Sequence, residues 1–377
     1  MHRVRRSLAL VAALFPLGSF AQTPRSLGAP NAELKDPFTH ISTIREMRDG
    51  RVLAVDERES KLMIVDFTAG TATQLGRTGN GPGEYALSGR LVALPGDTSA
   101  LHDPRNVRYL IIYPDGKLGP TFRLDDSVWM KLGSRGTVPR ASDSRGSLFF
   151  EGSPYTVMRG GTGIPTPYDS TPIMRYDRRS SKLDTVAWVN LDKGNVVIQP
   201  GPERGLSIRV GALAWPSRDD WVVLPDGGVA VIRASDYHID RYGPNGGRVS
   251  GPPLRIAPLA VTEAEKNAWR EDRRARAVSR TDGTIPQTIQ DPTWPAVLPP
   301  FEYWQSFARP NGDIWVLRSH RAAAPSIYDV FNAAGALAAR IQLPPNTRLV
   351  GFGAKSTVYL VRKDADDLQY LQRYTLQ

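Results

Sequence analysis

The chain has 377 residues, of which 41% are hydrophobic and 23% charged, with a formal net charge of +10. The apolar content excludes a globally disordered chain. The absence of cysteine excludes disulfides, thiolate zinc sites and cysteine nucleophiles. The length exceeds that of a usual single domain, so we expect two domains or one large repetitive domain. The 34 glycines and 31 prolines spread along the chain favour many short strands joined by turns.

The first 21 residues carry the pattern of a secretory signal peptide. Arg3, Arg5 and Arg6 form a basic start, residues 8–17 form an apolar stretch, and small residues precede a cleavage point after Ala21. The apolar run is too short to cross a bilayer. We therefore expect an exported protein, periplasmic or extracellular, without a membrane span. The paired arginines leave the twin-arginine route open beside the general secretory route.

Paired turn signals divide residues 22–377 into repeats. The glycine of the first turn in each repeat falls at positions 50, 96, 146, 227, 312 and about 353. Between the turns lie short runs rich in Val, Ile, Leu and Tyr, which is typical of four-stranded antiparallel units. Where no insertion intervenes, the first turns of successive repeats lie roughly 41 to 50 residues apart, which matches one propeller blade per repeat. The sequence therefore predicts an all-β, six-bladed β-propeller. Two stacked β-sandwiches would need a linker, and no break in composition indicates one.

One helix is predicted to interrupt the strands, over about residues 262–279. Thr262 and Glu265 form a capping-box pattern, and good helix formers follow. We expect this insertion to lie over one mouth of the propeller. The chain ends after the third strand of the sixth unit, so the segment around residues 26–35 is expected to supply the missing outer strand.

Three stretches resemble bacterial extracytoplasmic six-bladed β-propellers of the NHL/TolB-like kind. They are the glycine-rich run over residues 76–85, the run over 298–303 followed by 311–316, and the recurring hairpin seen at 49–55. The resemblance covers residues 38 to 376 and implies the propeller architecture. It implies little about function, because propellers host many unrelated activities.

Charged residues recur near the ends of the second strands. In a propeller the loops that follow those strands meet at one mouth of the channel, so equivalent positions form a ring. Its carboxylates would either bind Ca²⁺, as in propeller lactonases, or serve as turn-forming residues. Its arginines, which include Arg58, would suit carboxylated or phosphorylated ligands, or form a solvated rim. The candidate ligand-binding residues are Asp56, Asp103, Arg105, Arg233, Asp236, Arg318, His320 and Arg321.

Other kinds of site find no support in the sequence. The histidines show no close pairing typical of zinc sites, and no Gly-x-Ser-x-Gly elbow is present. The glycine-rich run lacks the Lys-Ser/Thr pair of a phosphate loop, so we interpret it as a connection between blades that needs positive φ at several glycines. Basic residues over 270–280 are interrupted by acidic ones, and no nucleic-acid-binding module is visible.

The sequence favours a monomeric, exported binding module for a small molecule, glycan or protein, with no cofactor. The alternative is a propeller hydrolase or lactonase with Ca²⁺ bound in the channel, which needs three or four Asp, Asn or Glu side chains converging on one point. A third interpretation, a scaffold in envelope assembly, predicts a broad exposed patch on one face.

Overall fold

The structure of the chain is a computed structural model. It describes residues 23–86, 89–133, 137–155, 166–192, 194, 196–200, 206–210, 213–278 and 291–376. For residues 196–200, 206–210 and 275–278 only the backbone is described. The predicted signal peptide, residues 1–21, lies outside the described residues.

Residues 25–122 form a short N-terminal segment and the first two blades. Two short strands come first: β1 (Arg25–Ser26) and β2 (Ala32–Glu33). Blade I follows with β3 (Ile41–Glu46), β4 (Val52–Asp56), β5 (Lys61–Asp66) and β6 (Thr71–Leu75). A parallel pair, β7 (Arg77–Thr78) and β8 (Glu84–Tyr85), lies in the connection to blade II. Blade II has β9 (Leu91–Ala93), the 3-10 turn Pro95–Asp97, β10 (Ser99–Asp103), β11 (Arg108–Ile112) and β12 (Leu118–Phe122).

Helices and a hairpin interrupt the remaining blades. Helix α1 (Asp126–Leu132) precedes blade III, which has β13 (Ala141–Ser142), β14 (Leu148–Glu151), β15 (Ser170–Asp177) and β16 (Lys182–Asn190). The hairpin β17 (Val196–Pro200) and β18 (Leu206–Val210) leads to blade IV, with β19 (Asp220–Val223), β20 (Val229–Arg233), β21 (His238–Tyr242) and β22 (Arg248–Ser250). Helix α2 (Glu263–Val278) precedes blade V, with β23 (Phe301–Ala308), β24 (Ile314–Arg318), β25 (Ile327–Phe331) and β26 (Leu337–Gln342). Blade VI has β27 (Thr347–Phe352), β28 (Thr357–Lys363) and β29 (Gln369–Thr375).

Six antiparallel sheets stand in a ring, each with its first strand innermost. Strands within a blade pair in chain order, and the inner strands of neighbouring blades lie side by side, β3 beside β9 at one junction and β27 beside β3 at another. Six apolar clusters fill the six junctions between blades. Since no blade can bury both its faces alone, this ring accounts for the single large core. The predicted six-bladed propeller is confirmed.

The N-terminal segment closes the ring. Strand β2 pairs antiparallel with β29, with Ala32 opposite Arg373 and Glu33 opposite Gln372. The Arg362 guanidinium donates to both Glu33 oxygens, at 2.7 and 2.9 Å. This strand covers the outer edge of blade VI, as the sequence predicted for residues 26–35. Strand β1 adds a further parallel strand to β26 of blade V.

The glycine-rich run connects blades I and II, as predicted, although positive φ is needed at fewer positions than expected. Gly76 and Gly83 have φ values of 66° and 70°. Gly79 and Gly81 have another reason to lack a side chain, since a Cβ atom at either would lie 3.0 Å or less from the Glu84 carboxylate.

The described part of the chain contains two α-helices rather than the one predicted. Helix α1 has only seven residues, and Gly133 ends it in the left-handed conformation at φ 89°. Its Val128, Trp129 and Leu132 pack into the cluster between blades II and III. A pattern of two helical turns is too short to distinguish from a strand, so the sequence did not reveal it. No helix within the described residues is long and apolar enough to span a membrane.

Candidate functional site

The start of each inner strand and the end of the second strand lie at one face of the propeller, which we call the upper face. Ile41 pairs with Asp56, and Phe301 pairs with Arg318, so the residues predicted as a ring do gather on this face. Their side chains, however, have different surroundings from blade to blade.

In blades I and II the predicted carboxylates are buried and hold the loops of their own blades. Asp56 accepts hydrogen bonds from the backbone N–H groups of Thr39 at 2.7 Å and His40 at 3.1 Å. Asp103 accepts from the Asn106 side chain at 2.7 Å and from Arg108 Nε at 3.1 Å. These carboxylates do what the turn-forming interpretation describes.

Arg105 and Asp236 lie exposed in the loops that follow the second strands, whereas Arg233 is mostly buried. Arg233 lies between Asp219 and Asp240, with nitrogen–oxygen distances of 2.7 Å to each. Burial and hydrogen bonding to Ser250, Arg233 and Arg248 act in opposite directions on the Asp240 carboxyl, and the hydrogen bonds prevail, lowering its pKa to about 2. Arg233 is therefore already paired with two carboxylates of the protein.

Of the predicted residues that follow β24 in blade V, His320 contacts its own blade and Arg321 connects the propeller to the helical insertion. His320 Nε2 lies 3.5 Å from Glu302 Oε1, and Arg321 lies 3.2 Å from Glu265 of helix α2. Burial raises the pKa of the Glu302 carboxyl. The charge of His320 lowers this pKa, and the charge of Asp272 on α2 raises it further. The ion pair of Arg321 with Glu265 attaches the first turn of helix α2 to the loop that follows β24 on the upper face.

The helix begins at the predicted capping residues. The Thr262 backbone N–H donates to Glu265 Oε2 at 3.0 Å, and the Thr262 hydroxyl donates to the same oxygen. These hydrogen bonds and the charge of Arg321 lower the pKa of Glu265 to about 2, although burial by itself would raise it. Trp269 packs edge-on against Trp294, with ring centroids 5.3 Å apart.

Arg318 and Asp236 border a cavity of about 720 Å³ between blades IV and V, which we call the side cavity. The other lining residues are Ala234, Ser235, Tyr237, the run 253–259, the run 298–300 and Ser319. Thus seven of the eight predicted residues are divided among contacts within one blade, a helix contact and a cavity wall, while Arg105 lies exposed in its loop.

One cluster of charged and aromatic side chains on the upper face was missed from the sequence. Arg140, just before β13, lies 2.6 Å from Asp220 at the start of β19, as an ion pair that is not aligned as a hydrogen bond. The Arg140 guanidinium also lies over the rings of Trp304 and Trp221, at 4.3 and 5.1 Å from their centroids. Such contacts stabilise a cation that has lost most of its water. We call Arg90, Arg140, Asp220, Trp221 and Trp304 the central cluster.

Arg90 completes the central cluster from blade II. Its guanidinium lies 5.5 Å from the centroid of the Trp304 ring, and no carboxylate within the described part of the chain forms an ion pair with it. Burial, and then the charge of Arg140, lower the pKa of Arg90 to about 10. It therefore still carries its charge at neutral pH, so two guanidinium groups face one carboxylate here.

A second network supports the cluster from blades III and IV. Glu151 Oε1 lies 2.5 Å from Arg218, and Glu151 Oε2 accepts a hydrogen bond from Trp221 Nε1 at 2.8 Å. The Arg218 guanidinium also lies over the Tyr303 ring, 4.0 Å from its centroid. Burial alone would lower the pKa of Arg218, but the charge of Glu151 raises it. Arg218 is thus neutralised within the protein, unlike Arg90.

Trp304 is held in a conformation that bulky residues avoid. Its φ is 68°, and the pairing of β23 with β24 is irregular between Phe301 and Ser306. A non-glycine residue at positive φ costs about 1 to 3 kcal/mol, and such residues cluster at functional sites. The bulge brings the indole between Arg90 and Arg140.

The repeat gave no signal for this site. Glu151 ends β14 one residue before the position equivalent to Asp56 and Asp103, because the strand pairing makes Leu148 equivalent to Val52 and Ser99. Arg90, Arg140 and Trp304 come from three different blades, and nothing in their local sequence indicates that they meet.

The described residues do not provide a metal site. No three His, Asp or Glu side chains in this part of the chain are grouped so that they could hold a metal ion. The residues therefore do not fit the Ca²⁺ of the alternative function, and we derive no chemistry from such an ion.

Known proteins resemble this chain in architecture only. No family model matches the chain, and no curated protein matches it. Virginiamycin B lyase from Staphylococcus aureus is 12% identical over 92% of this chain and 87% of its own, with a TM-score of 0.39. A gluconolactonase from Xanthomonas campestris is 11% identical over 94% of this chain and 98% of its own, with a TM-score of 0.43.

A Bacteroides fragilis protein inferred to be exported is 11% identical over 93% of this chain and 94% of its own, with a TM-score of 0.49. At these values none of the likenesses bears on function. The six-bladed architecture rests on the strand pairing of the chain itself, and the ligand has to be argued from the upper face.

Proposed function

We propose that the chain is a ligand-binding propeller whose central cluster binds a small anionic molecule at the upper mouth of the channel. The observation that carries this proposal is the Arg90 guanidinium, which lies against Trp304 without a carboxylate partner among the described residues. Arg140 and Arg218, by contrast, each have a carboxylate within 2.6 Å. A carboxylate or phosphate supplied by a ligand would complete the set.

The surroundings of Arg90 favour an anion that also carries a flat apolar part. The Trp304 and Tyr303 side chains are only partly buried, and they lie next to each other with ring centroids 5.7 Å apart. Aromatic faces of this kind bind sugar rings and aromatic rings, while a small number of polar groups fix the orientation of the ligand. The class of ligand is therefore a carboxylated or phosphorylated ring compound.

Export and family membership belong to the same proposal. The predicted signal peptide at residues 1–21 would place the ligand outside the cytoplasm. The stretches at 76–85 and 298–303 support kinship with NHL/TolB-like propellers.

The binding of phenyl phosphate, measured by isothermal titration calorimetry at low salt, tests the central-cluster proposal. We expect saturable binding to the unmodified protein and no binding of neutral benzyl alcohol. Arg90→Met keeps the aliphatic stem and removes the charge, so binding should weaken at least tenfold, because a charge-assisted hydrogen bond is lost.

The matched control is Arg58→Met, which removes an exposed arginine from a loop of the same face in blade I. Its affinity for phenyl phosphate should equal that of the unmodified protein. Equal loss in both variants would show that only overall charge matters, and no loss in Arg90→Met would overturn the proposal.

A further inference from the structure

The side cavity is a preformed concave site, distinct from the central cluster. Three backbone hydrogen bonds join its walls: Leu254 N–H donates to the Tyr237 carbonyl at 2.9 Å, and Leu298 N–H donates to the Leu259 carbonyl at 2.8 Å. The third joins Ser319 N–H to the Pro300 carbonyl at 3.3 Å. The segments that line the cavity are thus held in place by the fold, so a ligand would not have to order them.

The walls of the side cavity are mostly apolar. Leu254 and Ile256 pack against the apolar cluster between blades IV and V, and Leu298 is buried beside them. Leu259 and Pro299 also line the cavity. A cavity of about 720 Å³ falls within the range of small-molecule sites, which enclose an apolar ligand body and orient it with few polar groups.

Arg318, which lines the cavity together with Arg255, has unused hydrogen-bonding capacity. Arg318 Nε lies 3.5 Å from Asp329 Oδ2, which is too far for a good hydrogen bond. The Asp329 oxygens are engaged elsewhere, since Tyr237 Oη donates to Oδ2 at 2.9 Å and Arg340 Nε donates to Oδ1 at 3.0 Å. Arg318 and Arg340 therefore both lie beside one buried carboxylate, and Arg318 has the longer contact with it.

We propose that the side cavity binds an apolar carboxylic acid, with the carboxylate on the Arg318 guanidinium and the apolar body against Leu254, Ile256 and Leu298. Charge complementarity selects the acid over a neutral compound, because the guanidinium presents N–H groups that match carboxylate geometry. Asp236, which also lines the cavity, has a partner of its own in His238, with Nδ1 and Oδ1 2.6 Å apart.

The test measures binding of 2-naphthoate and octanoate to the full chain by calorimetry, with 2-naphthol as the neutral analogue. The two acids distinguish an aromatic from an aliphatic body. We expect saturable one-to-one binding of at least one acid, and binding at least tenfold weaker for 2-naphthol if naphthoate is the acid that binds. Absence of saturable binding of either acid would overturn the proposal.

Two variants locate the binding. Arg318→Met should weaken binding of the acid at least tenfold, and Ser235→Trp, an exposed position on the cavity lining, should abolish it by filling the cavity. Ser180→Trp, at an exposed turn of blade III, is the control and should bind as the unmodified protein does. If Arg318→Met and Ser235→Trp both bind like this control, the acid binds elsewhere and the proposal is wrong.

The variant Arg90→Met separates this proposal from the proposed function. It should retain binding of the acid while losing phenyl phosphate. Parallel loss of both ligands in Arg90→Met would mean that the acid occupies the central cluster, and would overturn the assignment to the side cavity.

Discussion

The upper face is built in two different ways around the ring. In blades I and II the second strand ends in Asp56 and Asp103, whose carboxylates bind the loops of their own blade. In blade III the second strand ends in Glu151, one residue earlier in the repeat, and Glu151 binds Arg218 and Trp221 of blade IV. The carboxylate at the end of the second strand therefore stabilises a single blade in one half of the molecule and links neighbouring blades in the other. The second arrangement is the one that surrounds the proposed ligand site.

The largest expected effect lies in the half that we regard as structural. Asp103→Ala removes a fully buried carboxylate and leaves Arg108 without that partner, which should reduce the free energy of unfolding by about 3 to 4 kcal/mol. Binding of phenyl phosphate per folded molecule should not change. Urea denaturation and calorimetry measure the two quantities.

The control for Asp103→Ala is Asp236→Ala, since Asp236 is an exposed carboxylate on the same face. We expect no measurable change in its stability. Similar destabilisation in the two variants would contradict the distinction between buried braces and exposed rim residues.

A pH-dependent effect follows from His102, which lies beside Asp103 in β10. It is fully buried, and neither ring nitrogen has a hydrogen-bond partner among the described residues. Burial lowers its pKa from 6.5 to about 4. Between those values the unfolded chain binds a proton that the folded protein does not, so stability falls as the pH drops from 6.5 to 4.

The contribution of His102 to this loss should be about 3 kcal/mol and should not grow further below pH 4. His102→Leu removes the titrating group, so its unfolding free energy should decline less over the same range. Denaturation curves at successive pH values measure the difference between the two proteins. Parallel pH dependence of the two proteins would contradict the assigned burial.

A smaller effect on stability is expected in the half that forms the site. Glu151→Gln keeps the shape of the side chain but weakens its bonds to Arg218 and Trp221, which should cost about 2 kcal/mol. Unlike Asp103→Ala, this variant should also weaken binding of phenyl phosphate, because the adjacent Tyr303 wall loses its support. The control is Glu59→Gln, an exposed carboxylate of blade I on the same face, which should leave binding unchanged.

The architecture was predictable because its signals are local. Glycine turns such as Gly50 and Gly227 recur once per blade, and both have the left-handed φ that a tight turn requires, 87° and 86°. The outer strand at Ala32–Glu33 was predictable as well, because the last blade lacked a strand. Helix α1 was not, because seven residues carry too little periodicity.

The site was harder to predict because it depends on which way each side chain turns. The repeat placed Asp56 and Arg318 correctly on one face, yet one turns into its own blade and the other lines a cavity. Arg90 and Trp304 meet only because blades II and V face each other across the ring and a bulge redirects the indole. Repeat position gives the face of the molecule, whereas side-chain direction follows from packing.

The most direct test of the central claim is a crystal structure of the chain with phenyl phosphate. We predict that the phosphate oxygens lie within hydrogen-bond distance of the Arg90 guanidinium and that the phenyl ring lies against Trp304 or Tyr303. A phosphate found instead on an exposed arginine such as Arg105, with the central cluster unoccupied, would contradict the account.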